Sequence, residues 1–515
     1  MNSRRVPIDV ALIQTSLPDK NGHVSLGVSV DITKTAIENA SLIIAQTNSN
    51  MPRTHGNSFI PIKDIDFIVH HDEKLLEFSP TIPDKIAQQI GKYVSQIIKD
   101  GDTIQLGYGS VPNAVLNCLK SKQHIGIHTE LLTDSIVELI QAGIIDNSKK
   151  NLDKGKSVAS FCMGTEKTYK YIDDNPQFEF RTIDYTNDPL VISRINNISA
   201  INSALQVDLT GQASAESIGS TFYSGIGGSA DFMRGAVLAP GGKTVLVLQT
   251  TAQDGQVSRI VPFLDQGAGV TLNRGDIHYI VTEYGIAYIH GKNIRERAMD
   301  IIAIAHPKFR SNLIEEAKKH NIIYRDQAFI PGKKGEYPEH LETYRTTRSG
   351  LSIILRPVRM NDEPMIKDLF YSLSDQSLKR RFMSMRKDVP HKMRQDFVVI
   401  DYSEEMIILA IILQNRKEIA IGMGQFIKNR NTHTAEVAFI VSEDFQDKGV
   451  GTELLTYLTQ LAKKEGLLGF TAEVLIENEP MLRVFEKMGF DMHKVIESGA
   501  YSLVMNFGGR DETRE

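Results

Sequence analysis

Twice in this chain a β-rich run leads through a glycine turn directly into a helix. The strand at residues 103–106 ends in GYGSVP at 107–112, and we expect a helix from about Asn113. The alternating run at 435–441 is followed by QDKGVGT at 446–452 and then by a helical stripe. Such a turn exposes backbone N–H groups at the positive end of a helix, which suits a phosphate or a closely packed cofactor. The alternative for each turn is a tight connection that binds nothing.

Strand and helix signals alternate through the first 330 residues. The β-rich runs lie at residues 9–14, 41–46, 103–106, 198–209, 243–248 and 277–281, and helical runs lie at 32–39 and 82–98. This alternation predicts an α/β fold with a parallel sheet. Open sheets of this kind bind their ligands at the carboxyl ends of the strands.

A polar segment at residues 331–350, PGKKGEYPEHLETYRTTRSG, contains proline and glycine and almost no apolar periodicity. This composition predicts a linker between two folded parts. We therefore predict a folded part before this linker and a separate, smaller domain at 351–507. The last residues, 508–515, are predicted to be a disordered tail.

The composition indicates a globular protein and excludes several classes of partner. Of the 515 residues, 41% are hydrophobic and 23% are charged, which is enough apolar material for several cores. A net charge of -5 gives no electrostatic footprint for nucleic acid or for an anionic membrane surface. The 2 cysteines have no metal-ligand spacing and fit a reducing compartment. We expect a cytoplasmic protein without a metal, a nucleic-acid partner or a membrane span.

Glu130 is the strongest candidate for a catalytic residue in the first part of the chain. It lies in HIGIHTELLTDS at 124–135, between an apolar run and a helical run, beside small and hydroxylated residues. A carboxylate is ionised at neutral pH, so it needs no base to attack an activated acyl group. The alternative is a solvated turn residue, because most glutamates are exposed.

A glycine-rich segment follows at residues 223–232, YSGIGGSADF, and brings Gly225, Gly227 and Gly228 close together. Bare backbone lets a substrate lie against it, and its N–H groups can stabilise a developing oxyanion. The alternative is a flexible loop. A second carboxylate, Glu283, follows the strand at 277–281, where α/β sheets place their sites.

Four segments occur together in order: GYGSVPNAV at 107–115, GIHTELLTDS at 126–135, SGIGGSADF at 224–232 and VTEYGIAYI at 281–289. They resemble the acetyl-CoA hydrolase/transferase family, and more closely its 4-hydroxybutyrate and butyryl-CoA:acetate CoA-transferases. The resemblance covers about residues 6–325 and implies two CoA-transferase-like parallel α/β subdomains, at 1–150 and 151–330. Family members carry a further segment before the point that matches Met1, so we expect the first subdomain to be incomplete.

The resemblance also implies roles for individual residues. It makes Glu130 the glutamate that forms a glutamyl–CoA thioester, with Asn187 and Glu283 around the reacting thioester. The positions that it implies for the CoA site are Gly107, Tyr108, Gly109, Ser110, Val111, Leu205 and Gly228. CoA would pass from an acyl-CoA to a small carboxylic acid through a covalent intermediate. Water in place of the acid would make the same site a hydrolase, and such enzymes are usually homodimers.

Residues 351–507 resemble the GNAT superfamily of N-acetyltransferases, which implies an α+β domain. The resemblance rests on the Q-x-x-G-x-G turn, on Asn478 and on FEKMGF at 485–490. The opening segments, LRP at 355–357 and LSDQSLKRRF at 373–382, look like the acetyltransferase module of bacterial protein lysine acetyltransferases. The acetyl-CoA contacts implied by the resemblance are Gln446, Lys448, Gly449, Val450, Gly451, Thr452 and Asn478.

Acetyl transfer to an amine needs a proton acceptor, because a lysine amine is mostly protonated at neutral pH. Glu436 is the candidate base, and the alternative is a sheet-edge glutamate without a catalytic role. Phe485 stands where many family members place a tyrosine acid, and it cannot donate a proton.

The sequence therefore predicts a bifunctional CoA-dependent enzyme with protein lysines as expected acceptors. Two alternatives stay open: a catalytically inactive CoA-transferase-like domain that regulates the acetyltransferase by binding acyl-CoA, and a small-amine acetyltransferase with an unrelated fusion partner.

Overall fold

The structure is a computed structural model that describes residues 7–79, 82–107, 109–329, 337–384, 389–414, 417–429, 431–497 and 499–507. The chain forms two compact units, residues 1–306 and 307–515. The predicted tail at 508–515 lies outside the described residues. Within the described ranges, no helix combines the length and the hydrophobicity that crossing a membrane requires.

The first unit alternates strands and helices. Its strands are β1 Ile8–Thr15, β2 His23–Ser25, β3 Ala40–Thr47, β4 Phe59–Pro61, β5 Phe67–His70, β6 Thr103–Leu106, β7 Gly126–Ile127, β8 Leu131–Leu132, β9 Ser157–Ala159, β10 Phe161–Cys162, β11 Phe178–Phe180, β12 Ile198–Ser203, β13 Gln206–Asp208, β14 Ala213–Ser214, β15 Ser217–Ile218, β16 Thr221–Phe222, β17 Lys243–Val247, β18 Thr251–Ala252, β19 Val257–Ser258, β20 Ile260–Val261, β21 Tyr279–Thr282 and β22 Gly285–Tyr288. Its helices are α1 Thr33–Asn39, α2 Lys85–Ile97, α3 Ser110–Cys118, α4 Asp134–Gln141, α5 Glu166–Ile172, α6 Ile183–Thr186, α7 Pro189–Ile192, α8 Ser229–Leu238 and α9 Ile294–Ala303.

The central sheet of this unit has the strand order β22-β21-β17-β12-β6-β7. All neighbours pair in parallel except β21 and β22. Strands β6 and β17 are buried along their whole length, as a parallel sheet covered on both faces requires. The predicted α/β fold with a parallel sheet is confirmed.

Two predicted boundaries in this unit were wrong. Helix α3 begins at Ser110 rather than near Asn113, because Pro112 fits within the first helical turn, where no backbone N–H is required. The extended run at 198–209 is divided between β12 and β13, which belong to different sheets. The chain turns between them, where the Leu205 N–H donates to the Ser214 carbonyl at 2.8 Å.

A smaller parallel sheet, with the order β1-β3-β5, opens the chain. One of its faces leaves apolar side chains in solvent: Leu12 is 76% exposed and Phe67 is 58% exposed. Parallel sheets normally bury both faces. The apolar side chains on this face of the sheet are therefore in contact with solvent.

The second unit is an α+β structure around one sheet with the order β23-β24-β25-β26-β27-β28-β30-β29. Its strands are β23 Thr343–Thr346, β24 Ser352–Pro357, β25 Glu405–Gln414, β26 Lys417–Asn429, β27 Thr434–Val441, β28 Gly469–Leu475, β29 Asp491–Glu497 and β30 Ala500–Asn506. Its helices are α10 Pro307–Lys319, α11 Glu363–Tyr371, α12 Asp375–Phe382, α13 His391–Val398, α14 Val450–Lys464 and α15 Glu479–Lys487. Its α+β class is as predicted.

The structure differs from the predicted linker at residues 331–350. Residues 331–336 lie outside the described residues, but β23 lies within the predicted linker and pairs antiparallel with β24. Its sequence, TYRT, combines β-branched and aromatic residues that favour strands. Polar side chains are tolerated there because β23 lies at the edge of the sheet.

A buried ion pair ties the central strands of the first unit together. Lys243 Nζ donates to the Asp102 carboxylate, and both side chains are 4% exposed. We predict that Lys243→Ala lowers the free energy of unfolding by about 3–5 kcal/mol, because it leaves a buried charge unpaired. The measurement is the urea midpoint, followed by hydrogen exchange in β6 and β17.

Lys170→Ala is the matched control, because it breaks an exposed pair with Glu166 in the same unit. Exposed pairs contribute little to stability. Equal urea midpoints for Lys170→Ala and Lys243→Ala would contradict the role assigned to the buried pair.

Candidate functional sites

A cavity of about 330 Å³ opens at the carboxyl ends of β6 and β12. Its wall includes the residues Gln105, Leu106, Gly107, Glu130, Leu131, Phe161, Asn202, Ala215, Glu216, Ser224, Gly225, Gly227, Gly228, Ser229 and Thr271. Residues distant in sequence therefore meet where parallel sheets place their ligands.

The Glu130 carboxylate has a defined position in this cavity. Asn187 Nδ2 donates to Glu130 Oε2 at 2.8 Å, and the Thr186 hydroxyl donates to Asn187 Oδ1 at 2.9 Å. The backbone is fixed as well, since the N–H groups of Ser160 and Phe161 donate to the Glu130 carbonyl at 2.9 and 3.1 Å. Glu130 is half-buried, so its side chain is both held and accessible.

A buried histidine, His128, helps to position the segments that carry Glu130 and Asn187. His128 is fully buried, and burial lowers its pKa to about 4. Its Nε2 donates to the Thr186 carbonyl at 2.9 Å. His128 is therefore uncharged at neutral pH and connects the strand before Glu130 to the segment that carries Asn187.

Gly228 packs directly against the two polar groups. A Cβ placed there would lie 2.2 Å from Glu130 Oε2 and 2.2 Å from Asn187 Nδ2. Its backbone has a φ of −77°, so glycine is required by the close approach and not by the backbone conformation. Gly228 also precedes helix α8, whose N-terminus carries a partial positive charge. Backbone amides there are suited to stabilise an oxyanion next to Glu130.

The predicted glycine-turn residues lie in different places. Gly107, Gly225 and Gly227 line the cavity, while Gly109, with a φ of 133°, precedes helix α3. Ser110 begins that helix, but Val111 is buried in the hydrophobic core. Tyr108 lies outside the described residues.

Two other predicted residues hydrogen-bond away from Glu130. Leu205 is in the turn between β12 and β13, bonded to Ser214. The Glu283 carboxylate accepts hydrogen bonds from the Thr250 N–H at 3.0 Å and from the Thr250 hydroxyl. In the described parts of the chain, no hydrogen bond joins Glu283 to Glu130 or Asn187. Their roles stay predictions.

Sequence reasoning missed three polar residues in the cavity wall. Gln105 and Asn202 bind each other through reciprocal amide hydrogen bonds of 2.9 and 3.2 Å. Both lie in buried strands, where an amide amid apolar residues was an available signal. Glu216 also lines the cavity, although its own sequence context gave no signal.

A second candidate site lies at the glycine turn before α14. Gly449, with a φ of 87°, precedes the helix, and Val450 at its start is buried. Gln446 Nε2 donates to the Val441 carbonyl at 3.1 Å, which ties the turn to β27. Lys448 Nζ lies 5.0 Å from the centre of the Phe445 ring. The helix N-terminus and this cation give an environment suited to phosphate.

Gly451 and Thr452 are the last predicted residues of this turn, and both lie in the first turn of α14. A Cβ at Gly451 would lie 3.3 Å from the Phe439 ring, while Thr452 is half-buried in the first turn of α14. The parallel pairing of β27 with β28 runs over Thr434–Glu436 and stops there in the described residues. Over the described residues beyond Glu436, the two strands no longer pair with each other.

Glu436 is exposed on β27 and belongs to a small charged group. Across the sheet, Ile427 lies opposite both Glu405 and Glu436. Arg381 Nη2 donates to Gln425 Oε1 at 2.5 Å, and Gln425 donates to Glu405. Burial raises the pKa of Glu405. Burial also lowers the pKa of Arg381, an effect opposed by the nearby Glu436 and Glu405.

Asn478, which was predicted to contact acetyl-CoA, precedes α15, and Phe485 lies within that helix. Asn478 is buried before the helix, with Nδ2 3.6 Å from Met481 Sδ. Phe485 is fully buried, and its ring centre lies 5.7 Å from that of Phe439. Phe485 is thus a core residue and takes no part in proton transfer.

Comparison with known families separates the two parts of the chain. The acetyl-CoA hydrolase/transferase family matches with its N-terminal domain at residues 2–80 and with its C-terminal domain at 164–317. The acetyltransferase (GNAT) family matches residues 374–490.

Similar proteins are CoA-transferases. The 4-hydroxybutyrate coenzyme A transferase of Clostridium kluyveri is 51% identical over 316 residues, covering 61% of this chain and 74% of that protein. The succinyl-CoA:cyclohexane-1-carboxylate CoA transferase of Geobacter metallireducens is 43% identical over 319 residues, covering 62% and 72%. The crystal structure of 4-hydroxybutyrate CoA-transferase from Porphyromonas gingivalis matches with a TM-score of 0.55 and 39% identity, covering 61% and 76%.

The fold, the cavity and these matches define a CoA-dependent transferase. The chain belongs to the acetyl-CoA hydrolase/transferase family and carries, in addition, a GNAT-family acetyltransferase domain. The resemblance predicted from the motifs is confirmed for both parts.

The packing of Gly228 gives a direct test of the first site. We predict that Gly228→Ala lowers CoA-transferase activity about 10²-fold, because its Cβ displaces Glu130 or Asn187 by an ångström or more. Thermal unfolding should change little, since the cavity beside residue 228 gives the displaced side chains room. The measurements are initial rates and unfolding midpoints.

Gly227→Ala is the matched comparison, because a Cβ at that position meets no atom within 4 Å. Gly227→Ala should lower CoA-transferase activity at most a few-fold, since the backbone amides stay in place. Equal losses for the two variants would show that the close approach at Gly228 is not what the site requires.

Proposed function

We propose that the first part of the chain transfers CoA between carboxylic acids through a glutamyl–CoA thioester on Glu130. The observation that carries the proposal is the half-buried Glu130 carboxylate, held by Asn187 at 2.8 Å in a cavity lined by glycine backbone. An ionised carboxylate attacks a thioester without a base. The names of the similar proteins agree with this reaction class.

The proposed reaction passes through an acyl-glutamyl anhydride and then a glutamyl–CoA thioester. A Glu130 oxygen attacks the acyl carbonyl of acyl-CoA, the C–S bond breaks, and an acyl-glutamyl anhydride and CoA thiolate form. The thiolate attacks the carbonyl carbon of the Glu130 side chain in this anhydride, which forms the glutamyl–CoA thioester, and the acid leaves as a carboxylate. An incoming carboxylate then reverses both steps and leaves with CoA. Asn187 Nδ2 and the amides near Gly228 are the donors for the tetrahedral oxygens.

The second part is proposed to acetylate amines, with protein lysines as the acceptor class. Acetyl-CoA would lie with its phosphates at residues 446–452 and its thioester where β27 and β28 separate. Glu436, at that separation, takes a proton from the lysine ammonium group, and the neutral amine nitrogen then bonds to the acetyl carbon. The C–S bond breaks, and the second nitrogen proton passes to the departing thiolate, which leaves as CoA thiol. The acidic group of Glu405 and Glu436 favours a cationic acceptor.

Several finer points stay predictions. A cytoplasmic location and a homodimer are expected from the cysteine content and from the family resemblance. The alternative function, an inactive first part that binds acyl-CoA and regulates the acetyltransferase, predicts binding without covalent chemistry.

A trapping experiment tests the first reaction. Incubation with butyryl-CoA followed by borohydride should convert the Glu130 side chain to an alcohol, because borohydride reduces the thioester but not a free carboxylate. Peptide mass spectrometry should find this change at Glu130, and Glu130→Gln should abolish both the change and CoA transfer. The initial rate of acyl-CoA cleavage in the absence of an acceptor carboxylic acid measures hydrolysis by the same site.

Glu138→Gln is the control, since Glu138 is an exposed glutamate on α4 in the same unit. It should react as the natural chain does. Acyl-CoA binding without any modification of Glu130, together with an acetyltransferase that responds to acyl-CoA, would instead support the regulatory alternative.

The second reaction is tested at Glu436. Glu436→Gln should lower the rate of acetyl transfer to a lysine peptide at neutral pH by about 10²–10⁴-fold, as expected when a general base is removed. The rate should recover partly at high pH, where the amine loses its proton to solvent. The measurement is peptide acetylation by mass spectrometry across a pH series.

Glu465→Gln, which removes a carboxylate paired with Lys428 at the other end of α14, is the matched variant and should keep its activity. A Glu436→Gln enzyme with an unchanged rate would leave Glu436 as a sheet-edge residue. Faster acetylation of a free polyamine than of the peptide would favour the small-amine alternative.

A further inference from the structure

A second carboxylate, Glu216, lies in the wall of the cavity that contains Glu130. Its backbone is fixed, because its carbonyl accepts hydrogen bonds from the Tyr223 N–H at 2.8 Å and the Ser224 N–H at 3.4 Å. Its side chain is confined by Gly269, where a Cβ would lie 2.8 Å from Glu216 Oε1. The backbone of Glu216 is therefore fixed, and its carboxylate packs against Gly269.

Glu216 differs from the other polar side chains around it in lacking a partner. Glu130 accepts a hydrogen bond from Asn187, and Gln105 and Asn202 bond each other. Among the described residues, Glu216 Oε2 is buried and has no hydrogen-bond partner. A buried acceptor left unpaired costs the full desolvation of that group. Glu216 also lines the cavity, so a donor that a substrate brings to its carboxylate would offset this cost.

We propose that Glu216 selects the carboxylic acid that exchanges CoA, by accepting a hydrogen bond from a hydroxyl on the acid's carbon chain. This inference rests on the CoA-transferase function proposed above. A hydroxyl supplies the missing donor, while a methyl group supplies none. A second carboxylate on the acid would face Glu216 as a like charge in a partly dry cavity, where charges interact strongly. The preferred substrates are short hydroxy acids, and short dicarboxylic acids are rejected.

Three acids with four carbons separate these effects. 4-Hydroxybutyrate, butyrate and succinate differ at the end of the chain, which carries a hydroxyl, a methyl group or a carboxylate. In the natural chain, kcat/KM for 4-hydroxybutyrate should exceed that for each of the other two by about tenfold or more, since hydrogen bonds to charged groups are among the stronger ones. This ranking needs no variant, so it is informative even if a substitution prevents folding.

Two variants assign the ranking to Glu216. Glu216→Leu removes the acceptor, so the preference for 4-hydroxybutyrate over butyrate should fall to about twofold or less while butyrate is used as well as before. Glu216→Gln removes the charge but keeps an acceptor oxygen, so it should improve the use of succinate and retain part of the preference for the hydroxyl. Glu138→Gln should keep the natural ranking.

The trapped Glu130 species distinguishes failure of this inference from failure of the transferase reaction. Glu216→Leu should still form the glutamyl–CoA adduct with butyryl-CoA. A natural chain that uses succinate as well as 4-hydroxybutyrate, while forming the adduct, overturns the role of Glu216 alone. Equal losses for all three acids in Glu216→Leu, with a raised KM for acyl-CoA, would overturn it too, because Glu216 would then contact CoA. No adduct in the natural chain overturns both proposals.

Discussion

The first site depends on a contact that exists because residue 228 has no side chain. Glu130 Oε2 and Asn187 Nδ2 both lie where a Cβ would be 2.2 Å away. The missing Cβ lets the start of α8 approach the carboxylate and its amide partner at once. In the proposed reaction this carboxylate acts first as nucleophile and later as an acyl carrier, so it needs donors on the same side in both states. Asn187 and the amides near Gly228 are the proposed donors, and neither is charged.

This contact needs a rigid base, which the buried strands supply. Glu130 follows β7, whose neighbour β6 belongs to the fully buried part of the sheet. His128 is neutral through burial and joins that segment to the one carrying Asn187, so it fixes the geometry without adding a charge.

The sequence predicted the parts of this protein that depend on periodicity or on motifs. The apolar stripe at Leu454, Leu455 and Leu458 is buried in α14, because a 3.6-residue period leaves one face for the core. Glu130 and Gly228 were found because ordered motifs carried them. The family resemblance had put Asn187 near Glu130, but the hydrogen bond between them depends on tertiary packing and could not be predicted. The unpartnered Glu216 could not be predicted either, because its position in the cavity wall depends on the same packing. Strand β23 was missed because edge strands tolerate the polar composition that also marks linkers.

The two proposed reactions activate an acyl group in opposite ways, and the surroundings of the two sites fit this difference. In the proposed CoA transfer Glu130 attacks as a carboxylate, so its cavity needs donors for an oxyanion and no proton acceptor. The amine at the second site must first lose a proton, so carboxylates are needed there, and Glu405 and Glu436 lie on one face of the sheet. Burial raises the pKa of Glu405, which makes that carboxylate a better proton acceptor than an exposed one. In the proposed reactions, acetyl transfer at the second site therefore depends on pH through its acceptor amine, whereas CoA transfer depends mainly on holding the Glu130 carboxylate in place.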